Sequence, residues 1–112
     1  MAAHYDLNIT QGNSFHIRLA VVSPTGTPFD LTNWNLRGFA KLKYSESNIL
    51  IDLQPTKASP QTQGLVDISI PASFTKTLPI TEGVFDIEMY DDSGFVDKPI
   101  KGYVRIYPEV TS

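Results

Sequence analysis

Val84-Phe85-Asp86-Ile87-Glu88-Met89-Tyr90 decides the fold. Phe85, Ile87 and Met89 recur at every second position, with Asp86 and Glu88 between them. In extended backbone successive side chains point to opposite faces, so this spacing makes a strand with one dry face and one wet face. After Asp91-Asp92-Ser93-Gly94 the same rhythm returns in Ile100, Gly102, Val104 and Ile106, which alternate with Lys101, Tyr103 and Arg105. Two alternating runs joined by a short Asp- and Gly-bearing turn signal a β-hairpin.

The rhythm extends toward the N-terminus. Tyr5, Leu7 and Ile9 open the chain, and Phe15, Ile17, Leu19 and Val21 follow. Leu36, Gly38, Ala40, Leu42 and Tyr44 form a third run, Ile49, Ile51 and Leu53 a fourth, and Val66, Ile68 and Ile70 a fifth. The chain is thus expected to hold about seven strands of ordinary length. Ser23-Pro24-Thr25-Gly26-Thr27-Pro28 reads as a turn, its prolines fixing φ and its glycine free to take positive φ. Lys57 to Gly64 is polar, contains Pro60, and reads as a loop. The exception to the β pattern is Pro71 to Pro79, where Phe74 and Leu78 stand four apart between prolines. One or two helical turns crossing between sheets fit it. The expected fold is all-β: an immunoglobulin-like antiparallel sandwich with one short helical crossover, a small closed barrel being the alternative. Trp34 precedes the third run, near where such sandwiches often bury a large aromatic.

A chain of 112 residues fits one domain spanning 1–112 and can bury a hydrophobic core. A net charge of −3 supplies no basic surplus for phosphates, which argues against a nucleic-acid partner. Without cysteine there is no disulfide, thiolate metal site or cysteine nucleophile. No segment approaches the roughly 20 apolar residues of a membrane span, so no membrane partner is expected. The N-terminus lacks the basic start and apolar core of a signal peptide.

Convergent chemistry is sparse. There is no Gly-x-Ser-x-Gly turn, phosphate loop or dinucleotide fingerprint, and His4 and His16 lack a ligand spacing. No catalytic residue, metal or cofactor is therefore expected, and the protein reads as a non-enzyme. The best chemical candidate is the acidic group Asp86, Glu88, Asp91, Asp92 and Asp97. Calcium takes such oxygen ligands, but the ordered Asp-x-Asp-x-Asp-Gly loop is missing. Asp91-Asp92-Ser93-Gly94 is more simply a turn whose side chains bond their own backbone.

With the aliphatic faces turned inward, the outward positions define a candidate protein-binding surface. Arg37, Phe39, Lys41 and Lys43 would face out on one strand, Val84, Asp86, Glu88 and Tyr90 on another, and Lys101, Tyr103, Arg105 and Tyr107 on a third. Immunoglobulin-like sandwiches place these three strands side by side, which would set a basic strand against an acidic one. Phe39, Tyr90, Tyr103, Arg105 and Tyr107 are the binding candidates, since aromatics and arginine enrich interface centres. Strand propensity by itself also favours tyrosine. The first strand and the 107–112 tail are further contact candidates.

Four segments carry a resemblance. Ile9-Thr10-Gln11-Gly12-Asn13-Ser14-Phe15 resembles the opening of small virion structural proteins of tailed bacteriophages and prophages. Asp30-Leu31-Thr32-Asn33-Trp34-Asn35-Leu36-Arg37 is similar to their Asp-Leu-Thr-Gly-aromatic-x-x-Arg segment, with Asn33 where Gly is frequent. Gly64 to Ile70 running into Thr75-Lys76-Thr77-Leu78-Pro79 is the third segment, and Gly83 to Met89 followed by Gly102 to Thr111 is the fourth. Each is loose, but they follow one order over most of the chain. The pattern is similar to the N-terminal immunoglobulin-like attachment domain of the siphophage baseplate upper protein. The resemblance implies a virion protein, made in the host cytoplasm, that attaches to or joins other phage structural proteins. Tail, baseplate or neck is favoured, with room for a homo-oligomer within the particle. A capsid decoration protein and a carbohydrate-binding module are the alternatives.

Overall fold

The computed structural model describes residues 3–109. Its strands are β1 (Ala3–Thr10), β2 (Phe15–Ala20), β3 (Asn35–Lys41), β4 (Ile51–Asp52), β5 (Thr56–Lys57), β6 (Leu65–Ile70), β7 (Glu82–Tyr90) and β8 (Val96–Tyr107). One sheet has five strands in the order β1-β8-β7-β3-β4, and the other has three in the order β2-β6-β5. Apart from β1, which runs parallel to β8, every pairing is antiparallel. The all-β sandwich expected from the alternation is present as two sheets, with the parallel β1–β8 pair the exception to the antiparallel arrangement the alternation suggested.

The inner faces are the aliphatic ones. Leu7, Ile9, Leu19, Val66, Ile68, Phe85, Ile87, Ile100 and Val104 are all sealed from solvent. Burying each such side chain contributes about 1.5–3 kcal/mol. Phe85 is the largest fully buried side chain. Its neighbours in the five-stranded sheet are Ala40 on β3 and Gly102 on β8, both small enough to leave room for the ring. Gly102 also lies beside Tyr5 of β1, and a Cβ there would collide with the Tyr5 carbonyl oxygen.

Where sheets connect, a corner is tied by polar contacts. The crossover from β6 to β7 contains one helical turn, α1 (Ala72–Thr75), as the prolines suggest. Thr75 is fully buried. Its hydroxyl accepts from the Gly12 N–H at 3.1 Å and donates to the Asn13 carbonyl at 2.8 Å. Gln11 Nε2 donates to the Leu78 carbonyl at 2.7 Å. Gly12, at φ 82°, takes the left-handed conformation that lets the β1–β2 turn meet α1.

Three sequence expectations change in detail. The third run ends as a strand at Lys41, so Leu42 and Tyr44 are exposed rather than inward. Ile49 is likewise exposed and lies ahead of the short β4. The 57–64 loop begins with the last residue of β5 and holds a turn of 3-10 helix at Gln61–Gln63. Trp34 is half-buried, its ring between Phe29 at 6.0 Å and Phe95 at 5.7 Å, at one end of the sandwich.

Candidate functional site

The two outer faces differ in chemistry. On the three-stranded sheet, His16, Arg18, Asp67, Ser69 and Thr56 point out, a polar set without an aromatic carbocycle. Arg18 grips Asp67 with two bonds of 2.7 and 3.0 Å, the bidentate geometry of a strong charged pair. The Arg18 guanidinium holds the Asp67 carboxyl below the usual aspartate range.

On the five-stranded sheet, β3, β7 and β8 are neighbours, as the sequence suggests. Their outward residues align in cross-strand rows. Arg37 stands opposite Glu88 and forms an ion pair with it, while its guanidinium carbon lies 4.5 Å from the centre of the Tyr90 ring. Arg105 faces Glu82 at 3.3 Å, and Lys98 reaches Asp86 at 3.9 Å. Tyr103 is opposite Val84 and half exposed, with the His4 ring of β1 packed edge-on against it at 5.2 Å. The basic and acidic strands thus interleave and pin the aromatic side chains among their charges.

Of the five candidates, Phe39 and Tyr103 occupy the middle of this face, and Arg105 stands toward one end, opposite Glu82 at the start of β7. Phe39 pairs with Asp86, one row from the Val84–Tyr103 pair. Tyr90 and Tyr107 lie near opposite ends of the sheet, about 30 Å apart at strand spacing. Tyr90 belongs with Arg37, and Tyr107 borders exposed Ile80. The tail candidates Val110, Thr111 and Ser112 fall outside the described residues.

Tyr44 belongs to the face and was not recognisable from alternation. Released from β3, its side chain folds back so that its hydroxyl donates to the Phe85 carbonyl at 3.4 Å. Partial burial and the nearby Asp86 and Tyr103 push its phenol above the usual tyrosine value. With Phe39, Lys41, Asp86 and Lys98 it lines a shallow hollow of about 240 Å³.

The acidic group does not converge. Asp91 Oδ1 accepts from the Ser93 N–H at 3.0 Å, the Ser93 hydroxyl at 2.7 Å and the Phe95 N–H at 3.0 Å. These bonds, led by the Ser93 hydroxyl, hold its carboxyl below the usual range. Asp86 and Glu88 are engaged with Lys98 and Arg37. Among the described residues, no three His, Asp or Glu side chains gather as metal ligands would. No helix among them is long and apolar enough to cross a membrane.

No protein-family model matches the chain, and no curated protein shows significant similarity to it.

Proposed function

We propose that this protein is a non-enzymatic structural component of a tailed-phage particle that attaches to or joins other particle proteins, at the tail, baseplate or neck. The observation that carries the contact role is the asymmetry of the sandwich. One outer face is polar, whereas the other sets Phe39, Tyr44, Tyr103 and Arg105 in a field of paired charges. Aromatic and arginine side chains at the centre of a charged surround are the composition of a protein contact surface. The phage assignment rests on the order of the four sequence segments. The test is incorporation into particles. Tyr103→Ala combined with Arg105→Ala should remove the protein from purified virions while leaving its folding intact. Normal incorporation of this variant would exclude the face as the attachment surface, and absence of the wild-type protein from virions would exclude the role.

A glycan-binding reading is favoured by the hollow beside Tyr44 and Phe39, where an aromatic wall meets Asp86 and Lys98. A glycan array probed with multivalent protein decides it, and a blank array removes it.

A further inference from the structure

The charges of the five-stranded face are arranged to match a second copy of themselves. Across the sheet they run in stripes along the strands. Asp6 on β1 is acidic, Lys101 and Arg105 on β8 are basic, Glu82, Asp86 and Glu88 on β7 are acidic, and Arg37 and Lys41 on β3 are basic. The register also fixes the rows. One row reads Asp6, Tyr103, Val84, Lys41; the next reads His4, Lys101, Asp86, Phe39. A third includes Asn8, Arg105 and Glu82.

Consider a two-fold axis parallel to the strands, lying in the contact plane between β7 and β8. It lays β8 over β7 of the other copy and β1 over β3, without changing rows. Arg105 then meets Glu82 of the second copy, and Lys101 meets its Asp86. Tyr103 meets Val84, and His4 meets Phe39. At the rim Asp6 meets Lys41. In these five oppositions there is no like-charge pair, and Tyr103 meets Val84 on the two central strands. We propose that this face is a homodimer interface, pairing with the same face of a second copy about that axis. This inference rests on reading the face as a contact surface and names its partner.

Size sets the strength. The four overlapping strands, about 4.8 Å apart and about seven residues long at about 3.3 Å each, give a contact of about 19 by 23 Å, or about 440 Å². A stable standard interface takes about 800 Å² per partner, so pairing is weak, with Kd of about 10 μM to 1 mM. Sheets packed face to face tolerate strand angles near 30°, which twisted copies supply. Weak pairing is useful in a particle that holds many copies, where linked contacts multiply.

The rim pair gives a decisive test. Asp6 and Lys41 lie three strand spacings apart in one chain, about 14 Å, beyond the roughly 8 Å screening length at physiological salt. Their coupling would therefore report contact between copies. Sedimentation of the full chain up to about 1 mM should show reversible dimerisation. Asp6→Lys alone and Lys41→Asp alone each set like charges opposite one another and should weaken it at least about tenfold. An equal mixture of the two variants should recover association, because each supplies the charge the other lacks. Unfolded variants would not recover on mixing, so the mixture controls for folding. Wild-type protein that stays monomeric, or a mixture no tighter than either variant, overturns the proposal. Dimerisation without incorporation into virions would remove the proposed function and leave the pairing. A monomer whose Tyr103/Arg105 variant fails to incorporate would do the opposite.

Discussion

At the scale of single residues, the exposed carboxylates that matter are those with fixed partners. Asp67 is bound by Arg18, and Asp91 is bound by the turn that follows it. Both are held below the ordinary aspartate value of 3.8. A depressed folded value means that the unfolded chain binds protons first as pH falls. The stabilisation from each is complete above the ordinary value and is lost as pH drops through the lower folded value. Urea unfolding midpoints should therefore fall between about pH 5 and about pH 2. In Asp67→Asn the acid-dependent fall should be smaller, because one of the linked protons is gone. An identical fall in the variant would mean that the Arg18 pair does not persist in solution. His16 lies one row away on the same face and adds in the same direction to the hold on Asp67.

Among elements, the corner where β1, β2 and α1 meet carries a second prediction. The Thr75 hydroxyl satisfies a donor at Gly12 and an acceptor at Asn13. Thr75→Val keeps the shape but strands both, which should cost about 1–3 kcal/mol in urea unfolding, whereas Thr75→Ser should cost less. Equal losses in the two would assign Thr75 to packing alone. Gly102→Ala acts on the β1–β8 pairing, since its Cβ would enter the space of the Tyr5 carbonyl and the Phe85 ring. It should cost about 1–3 kcal/mol and raise hydrogen exchange in β1; unchanged exchange there would count against the close approach. Much of the fold was legible because burial imposes a period of two, which Phe85, Ile87 and Met89 display openly. What was hidden had no such signal. β5 is two polar residues after Pro55, held by Asp67 and Val66 of β6. Tyr44 kept the phase of its run but left the strand, and alternation cannot report where a strand stops.

For the whole molecule, the candidate site divides in the same way. The outward residues of β3, β7 and β8 could be assigned to one face from phase and topology. The contribution of β1 could not, because the parallel β1–β8 pairing that brings Asp6 and His4 beside Tyr103 is a tertiary choice. The fourth segment of the phage resemblance lies on the face, in β7 and β8, while the first and third meet at the corner, where Gln11 and Gly12 bond to Leu78 and Thr75. Those residues account for how the sandwich closes, so a resemblance in them bears on the fold more directly than on the partner. The proposed function assigns partner choice to the aromatic face, and the two faces offer a comparison within one protein. His16→Glu with Ser69→Arg alters charge on the three-stranded sheet at exposed positions. Tyr103→Ala with Arg105→Ala removes an aromatic and a cation from the other. Surface changes of either kind should leave the free energy of urea unfolding within about 1 kcal/mol of wild type. Virion incorporation should be unchanged in the first variant and reduced at least about tenfold in the second, since contact energy concentrates in a few aromatic and arginine side chains. The reverse pattern would place attachment on the three-stranded sheet. Equal loss in both, with stability intact, would mean that the particle encloses the sandwich from both sides.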